Sequence, residues 1–543
     1  VPFAEPHETI DYLRGIVEVQ PNAVVTFGDD GEKLGSWPET NAHVYENGWL
    51  KRFFSALVEN EDWIQVSTPS EALASVGPLG KIYIPEASYR EMTEWALPTA
   101  QAEKFDDVKH RFQNERIWEP VAPFVRGGFW RNFKVKYPET GEMYARMQMV
   151  SNRLQELRDS GHDSHTLNQA QTELYRGQCN CSYWHGAFGG VYLPHLRNAI
   201  YKHLIAADNL IEEHLGRGRN ADAWIELDAA DYDLDGRQEA RLASNQLVAL
   251  AAPASGGTLY ELDVRSIRHN LLATLARRPE AYHRKVLTGP TASGDDVASI
   301  HDRVVFKQEG LDKEVVYDSY LRKSLVDHFF DLDVSPTDVA SNEYREQGDF
   351  VTAQFDAKLR RSADRMQLMM SRDGHVDGSP IRLTKGITLE TGGSELEIVY
   401  LLEGLPTDQP LHFGVELNFA GLPAGAEGRY FHAGDGNSIG ELGERLDQID
   451  VERLHLKDEW LGVDCGLSVD QPTSIWTYPI ATVSQSEGGF ELVHQSVVVL
   501  PHWILQADKQ GRWSVKFRLT IDTSLAEQRM AEGGGQLAVG SGQ

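Results

Sequence analysis

The chain has 543 residues, with 52 lysines and arginines against 81 aspartates and glutamates and a formal charge of −29. That acidic balance argues against a nucleic-acid backbone or an anionic membrane surface as the main partner, and leaves neutral ligands open. A hydrophobic fraction of 41% and a charged fraction of 24% are those of a folded globular protein, and the length suggests about three domains.

In chain order, residues 8–20 read as a helix, and Ala23-Val24-Val25-Thr26-Phe27 reads as a short apolar strand ending in Gly28-Asp29-Asp30-Gly31. A second such unit opens a helix at Pro69–Ala74 and predicts a strand over Lys81-Ile82-Tyr83-Ile84-Pro85. Alternating strands and helices predict a parallel sheet with chemistry at the carboxyl ends of its strands, where Asp29 and Asp30 sit. Two strands close no barrel, so further barrel strands are expected upstream of Val1. From about Thr99 to Leu215 the pattern is helical. Pro194 falls in a first turn, and Leu196, Ile200, Leu204, Ala207, Leu210, Ile211 and Leu215 follow at helical spacing. Beyond Ala221 the pattern is antiparallel β, as in Leu411–Phe419 and in Trp513–Asp522, where Val515, Phe517, Leu519 and Ile521 share a face. Leu287–Lys313 reads as a long polar loop and Glu527–Gln543 as disordered. The expected domains are therefore 1–98, 99–216 and 217–524, with a disordered tail over 525–543.

Cys179, Cys181 and Cys465 are too few and too odd in number for a disulfide framework, and read as reduced core thiols. Ala243–Tyr260 lacks charge but holds Ser, Asn, Pro and Gly-Gly, so no stretch predicts a membrane span. Neither a nucleotide-binding glycine loop nor a Gly-x-Ser-x-Gly elbow is present. The densest chemistry is Asp29-Asp30-Gly31-Glu32-Lys33, followed by Trp37. Three mutually repelling carboxylates beside a lysine and an aromatic ring can leave one carboxyl protonated as a general acid, although Asp-Asp-Gly is also a common solvated turn. Asp231, Asp233 and Asp235 stand at positions one, three and five of a calcium-loop pattern, with Glu239 at nine. Position twelve is Leu242, which excludes an EF-hand and leaves a calcium hairpin or a solvated acidic turn. His269, His283, His301, His328 and His494 are scattered and read as surface or packing residues.

Thr26–Trp37 with Glu46-Asn47-Gly48-Trp49-Leu50 resembles the acid/base segment of glycoside hydrolase family 57, in its 4-α-glucanotransferase and α-amylase branch. Matches continue in order through Pro85–Tyr89 with Glu94-Trp95, Phe124-Val125-Arg126-Gly127-Gly128, Gln178–His195, Ile300-His301 and Ser484–Glu487. The resemblance implies part of a (β/α)7 barrel, a helical middle domain and a large galactose-mutarotase-like β-sandwich. It also implies retaining cleavage of α-1,4-glucan by a Glu nucleophile and an Asp acid/base. The family's Asp falls on Asp30. Asp29, Glu32, Lys33, Trp37, Asn180, Trp184 and His185 are then expected at the substrate, Trp184 by stacking on a sugar ring and His185 and Asn180 by hydrogen bonds to hydroxyls.

The sequence departs from the family's pattern at Gly28, often His there, and at Cys181, often acidic. The family's nucleophile segment precedes the acid/base segment, so the attacking Glu is expected upstream of Val1. Asn114–Pro120 imitates it, but Glu115 reads better as part of a helix end held by Trp118 and Pro120. Arg126 reads as structural. The chain is thus expected to act on α-glucan, by transfer or by hydrolysis, in the cytoplasm, with no cofactor required, and a structural calcium ion and a homodimer stand as open alternatives. The rivals are a non-catalytic α-glucan-binding homologue and a scaffold whose sandwich pairs subunits.

Overall fold

Capping chemistry sets the first helices of the computed structural model, which describes residues 3–37, 40–78, 80–83, 90–218, 222–289, 306–486 and 489–533. They divide into two units, residues 1–86 and 87–543.

In the first unit Pro6 opens the helix Pro6–Val19, and the Glu5 backbone N–H donates to Glu8 Oε1 at 3.0 Å. Thr68 and Glu71 cap Pro69–Ser75 reciprocally, with Glu71 N–H donating to Thr68 Oγ1 at 3.3 Å and Thr68 N–H to Glu71 Oε2 at 2.8 Å. Between them, Trp49–Glu59 is anchored by Trp49, which is buried, stacks on Phe53 at 5.1 Å and donates its indole N–H to the Ala4 carbonyl at 2.8 Å. The helices at 8–20 and 69–74 are therefore present. The strands predicted at 23–27 and 81–85 are not. No strand occurs among the described residues of this unit, and Ile84 and Pro85 lie outside them. An extended segment becomes a strand only through a hydrogen-bonded neighbour. Val24 at 56% exposure, Phe27 at 63% and Ile82 at 83% have no neighbour that would cover them as a sheet would.

Among the described residues the second unit begins with Arg90–Trp95, so residues 90–98, expected with the barrel part, lie with the helical region. There Thr99–Asn114, Pro138–Asp159, His165–Arg176 and Pro194–His214 are helices. Met143, Val150 and Leu154 meet Leu167 and Leu174, and Ile200, Leu204, Ala207 and Ile211 of the predicted apolar stripe close the same core. Leu215 lies past the helix end and is exposed.

Beyond it, five strands from Ile225–Ala230 to His269–Asn270 form an antiparallel meander, and twelve more form a second sheet. Leu242 and Leu262 of the first pack into one core with Leu368, Phe413 and Phe517 of the second, which makes a sandwich. The long strand Val463–Ser486 is where the large sheet branches: residues 464–469 pair with Arg512–Asp522, and residues 474–486 pair with Gly489–Leu505. Pro472, which has no N–H to give a ladder, sits between the two pairings. Leu411–Ala420 is buried along its whole length, and Val515, Phe517, Leu519 and Ile521 face inward together as the alternation predicts.

Residues 525–533 are not disordered but belong to the helix Ser524–Gly533; 534–543 lie outside the described residues. The segment read as a loop carries the short helices His283–Thr288 and Leu311–Glu314, with 290–305 outside the description. Among the described residues no helix is long and apolar enough to cross a membrane. Cys465 is a buried thiol, whereas Cys179 and Cys181 are exposed rather than core residues because Cys179 caps, and Cys181 lies within, the 3-10 turn Asn180–Tyr183.

Candidate functional site

In the first unit Asp30 is the N-cap of a 3-10 turn, Gly31–Leu34, and this turn brings Lys33 back over the carboxylates. Lys33 Nζ lies 2.5 Å from Asp29 Oδ1 and 3.2 Å from Asp30 Oδ2. The Asp29 oxygen also accepts the Asp30 backbone N–H at 2.9 Å. The hydrogen bond from Lys33 holds the Asp29 carboxyl below the usual carboxylate range, and the same bond raises the Lys33 ammonium. Asp29 is thus a fixed anion rather than a proton donor. Its side chain is 22% exposed, whereas that of Asp30 is 65% exposed. Lys33 also lies 5.4 Å from the centre of the Trp37 ring, which stacks on Phe3 at 6.0 Å. Glu32 contributes mainly its backbone, its carbonyl accepting from Ser36 and Trp37 N–H at 2.8 and 3.1 Å.

In the second unit the segment from Gln178 to His195 folds around Trp95. Trp184 stacks on it at 5.7 Å and 8°, and Phe188 meets Trp184 edge-on at 6.1 Å. Gly186 is required because a Cβ there would stand 2.2 Å from the Trp95 ring. Gly190, at φ +55°, would place a Cβ 1.9 Å from the Trp184 carbonyl oxygen. Trp184 is 6% exposed and His185 1% exposed, so neither presents a ring for stacking or a nitrogen for a sugar hydroxyl, contrary to expectation. The physical reason is ring packing for Trp184 and hydrogen-bond satisfaction within the core for His185. His185 Nδ1 donates to the Gly189 carbonyl at 2.8 Å and Nε2 accepts from Tyr282 Oη at 3.0 Å, and burial pushes the imidazole down to about 4, so it stays neutral. Beside it Glu280, which spacing could not connect to this motif, accepts from Tyr137 and Tyr192 hydroxyls at 2.8 and 2.9 Å and pairs with Lys136 at 3.0 Å. Asn180 is exposed at the start of a 3-10 turn.

Glu115 is the exposed C-cap of Thr99–Asn114, ion-paired with Arg111 at 3.0 Å, while Trp118 is buried. Arg126 is exposed, and the neighbouring glycines do the packing, Gly128 N–H donating to the Thr93 carbonyl at 2.7 Å. Residues 85–89, 300–301 and 487 lie outside the described residues.

The hairpin between Ile225–Ala230 and Glu239–Ser244 gathers oxygens of Asp231, Asp233 and Glu239 within 4.8 Å of one another. Asp235 is not among them: its carboxylate accepts the Arg237 N–H at 2.8 Å, closing its own turn. Burial and the adjacent carboxylates push Asp233 up to about 6 and Glu239 up to about 7. Three hard oxygen donors, two of them with their ionisation penalised, fit a calcium ion.

Of the scattered histidines, His494 is half-buried and His301 lies outside the described residues. His269, His283 and His328 are buried, and His328 pairs with Glu346 at 2.8 Å and lies 3.6 Å from Glu416. Glu416 also takes Arg322 at 2.9 Å and the Tyr320 hydroxyl at 2.7 Å. Another cluster joins His432, His455 and Asp464, too far apart in sequence to show a ligand spacing. His432 Nδ1 accepts N–H groups from Gly434 and Gly436 at 3.1 and 3.2 Å, so Nε2 carries the proton and donates it to Asp464 at 2.9 Å. That tautomer makes the cluster a hydrogen-bonded clamp rather than a metal centre.

Comparison with known proteins follows the same architecture. Residues 1–85 match the model of glycosyl hydrolase family 57, 128–211 that of the alpha-amylase/4-alpha-glucanotransferase middle domain, and 231–517 that of the alpha-amylase/4-alpha-glucanotransferase C-terminal domain. Alpha-amylase 1 of Dictyoglomus thermophilum is 33% identical over 96% of this chain and 73% of its own length. A 4-alpha-glucanotransferase of Thermococcus kodakarensis is 34% identical over 92% of the chain and 69% of its own. The crystal structure of 4-alpha-glucanotransferase from Thermococcus litoralis superposes with a TM-score of 0.73 at 31% identity, covering 96% of this chain and 71% of that one.

Proposed function

Since this chain belongs to glycosyl hydrolase family 57, we propose that it acts on α-1,4-glucan as a retaining enzyme, transferring glucan segments between maltooligosaccharides, with hydrolysis as the competing outcome when water is the acceptor. Relatives named as enzymes along 92–96% of the chain weigh against a purely glucan-binding homologue. The observation that carries the site assignment is the division of labour at the 3-10 turn: Asp29 is locked to Lys33, and Asp30 beside it projects its carboxyl outward.

Asp30 is assigned the acid/base role. It protonates the leaving glycosidic oxygen as the glucosyl group passes to an attacking carboxylate, then takes the proton from the incoming acceptor hydroxyl. Asp29 and Lys33 position that carboxyl, and Trp37 offers an apolar face beside it. The Asp231–Asp233–Glu239 hairpin would hold a calcium ion with a structural, not chemical, part. The exposed thiol of Cys179 favours a reducing, cytoplasmic setting.

Asp30→Asn tests the assignment. Loss of acid/base assistance is expected to cut maltopentaose turnover by roughly 10²- to 10⁴-fold while leaving oligosaccharide binding in place. Undiminished turnover in that variant would overturn the role of Asp30.

A further inference from the structure

A cavity of about 640 Å³ lies wholly within the second unit, where the helical region meets the sandwich, and nothing above gives it a role. Its volume is that of a small-molecule pocket, about 300–1,000 Å³. Pro98, Val135, Pro279 and Leu321 supply apolar wall, and Asn132, Ser319 and Thr352 supply polar groups.

The charges around it decide what it can hold. Four cations line it, and each is already neutralised: Lys136 by Glu280 at 3.0 Å, Arg277 by Asp318 at 2.7 Å, Arg278 by Glu139 at 2.7 Å and Lys323 by Glu142 at 2.5 Å. A phosphate or carboxylate would therefore meet as many anions as cations. A purely apolar ligand would strand donors that the pairing leaves over. An ammonium has three N–H groups, of which Lys323 directs one to Glu142 and Lys136 two, to Glu280 and the Trp95 carbonyl. Asn132 uses its carbonyl to accept the Phe129 N–H at 2.9 Å, which leaves its amide N–H groups over. Apolar wall, neutral net charge and leftover donors together match a ligand with C–H faces and many hydroxyls.

We infer that this cavity is a second carbohydrate-binding site, taking a short α-glucan segment apart from the turn that carries Asp30. The choice of sugar rests on the α-glucan reading of the chain; the neutral polyhydroxyl chemistry rests on the cavity alone. Such a site adds avidity for polymer, because a chain held at one point is presented to the other at high effective concentration.

The test is electrophoresis of the full chain through gels containing amylopectin, in the Asp30→Asn background so that the polymer is not consumed. Ser319 and Thr352 are exposed, so Ser319→Trp and Thr352→Trp fill the cavity mouth without disturbing the core, and unchanged melting temperatures check this. The inference predicts that each substitution reduces the retardation by amylopectin several-fold. Retardation equal to that of the parent in both variants would overturn it, as would a parent that amylopectin does not retard. Persistent maltopentaose turnover in Asp30→Asn would instead overturn the catalytic reading and leave the comparison of retardation to decide the cavity.

Discussion

Asp29 and Asp30 differ by one position in sequence and by opposite surroundings in the fold. The difference comes from a single 3-10 turn that returns Lys33 to Asp29 more closely than to Asp30. The carboxylate cluster was legible in the sequence; which member is locked was not, because it depends on the direction in which that turn closes. Glycines show the same limit. The Trp-His-Gly segment stood out as a motif, yet its reason is steric. Gly190→Ala is expected to destabilise the protein by more than about 3 kcal/mol, since a left-handed φ alone costs about 1–3 kcal/mol and the new Cβ would also collide with the Trp184 carbonyl. Gly161→Ala, at φ +84° with open space around it, is expected to show the conformational cost alone. Equal denaturation midpoints for the two variants would refute the close-approach explanation.

At the scale of elements, periodicity served where burial is one-sided and failed where a partner is needed. The stripe of Pro194–His214 and the alternation of Arg512–Asp522 each bury one face, so spacing located them. The segments at 23–27 and 81–83 carry strand-forming residues but pair with nothing described, and propensity cannot supply a neighbour. The acidic hairpin gives a pH prediction. Asp233 and Glu239 titrate higher in the fold, near 6 and 7, than in an unfolded chain, so the native state binds more protons and stability falls as pH rises from about 4 through 7. Calcium ions would remove that penalty by favouring the ionised carboxylates. The expected result is a calcium-dependent rise in melting temperature that is larger at pH 7.5 than at pH 5 and is lost in Glu239→Gln. A calcium effect of equal size at both pH values would contradict the site.

Across the whole molecule, the fold class followed from the order of patterns, helical then antiparallel, while the interior electrostatics did not. Arg322, His328 and Glu416 are separated by up to 94 positions and become neighbours only because the strands Val326–Phe330 and Leu411–Ala420 pair. Glu416→Gln removes one of the two counter-charges of the buried Arg322 guanidinium, the other being Asp318 at 2.6 Å, and is expected to cost about 1–3 kcal/mol, measurable by denaturant titration; a cost below about 1 kcal/mol would show the pair to be dispensable. His328, raised to about 9 by Glu346 and Glu416 against the cost of burial, adds stability that is complete below its unfolded value near 6.5 and lost as pH rises through 9. Whether Asp30 is the acid/base is decided by the product ladder from maltopentaose, run with full-length protein that carries the attacking carboxylate, wild type beside Asp30→Asn. A retaining glucanotransferase with Asp30 as its acid/base yields saccharides both longer and shorter than the substrate, and loses them in the variant. Maltopentaose left intact by the wild type, or an identical ladder from Asp30→Asn, would contradict the account.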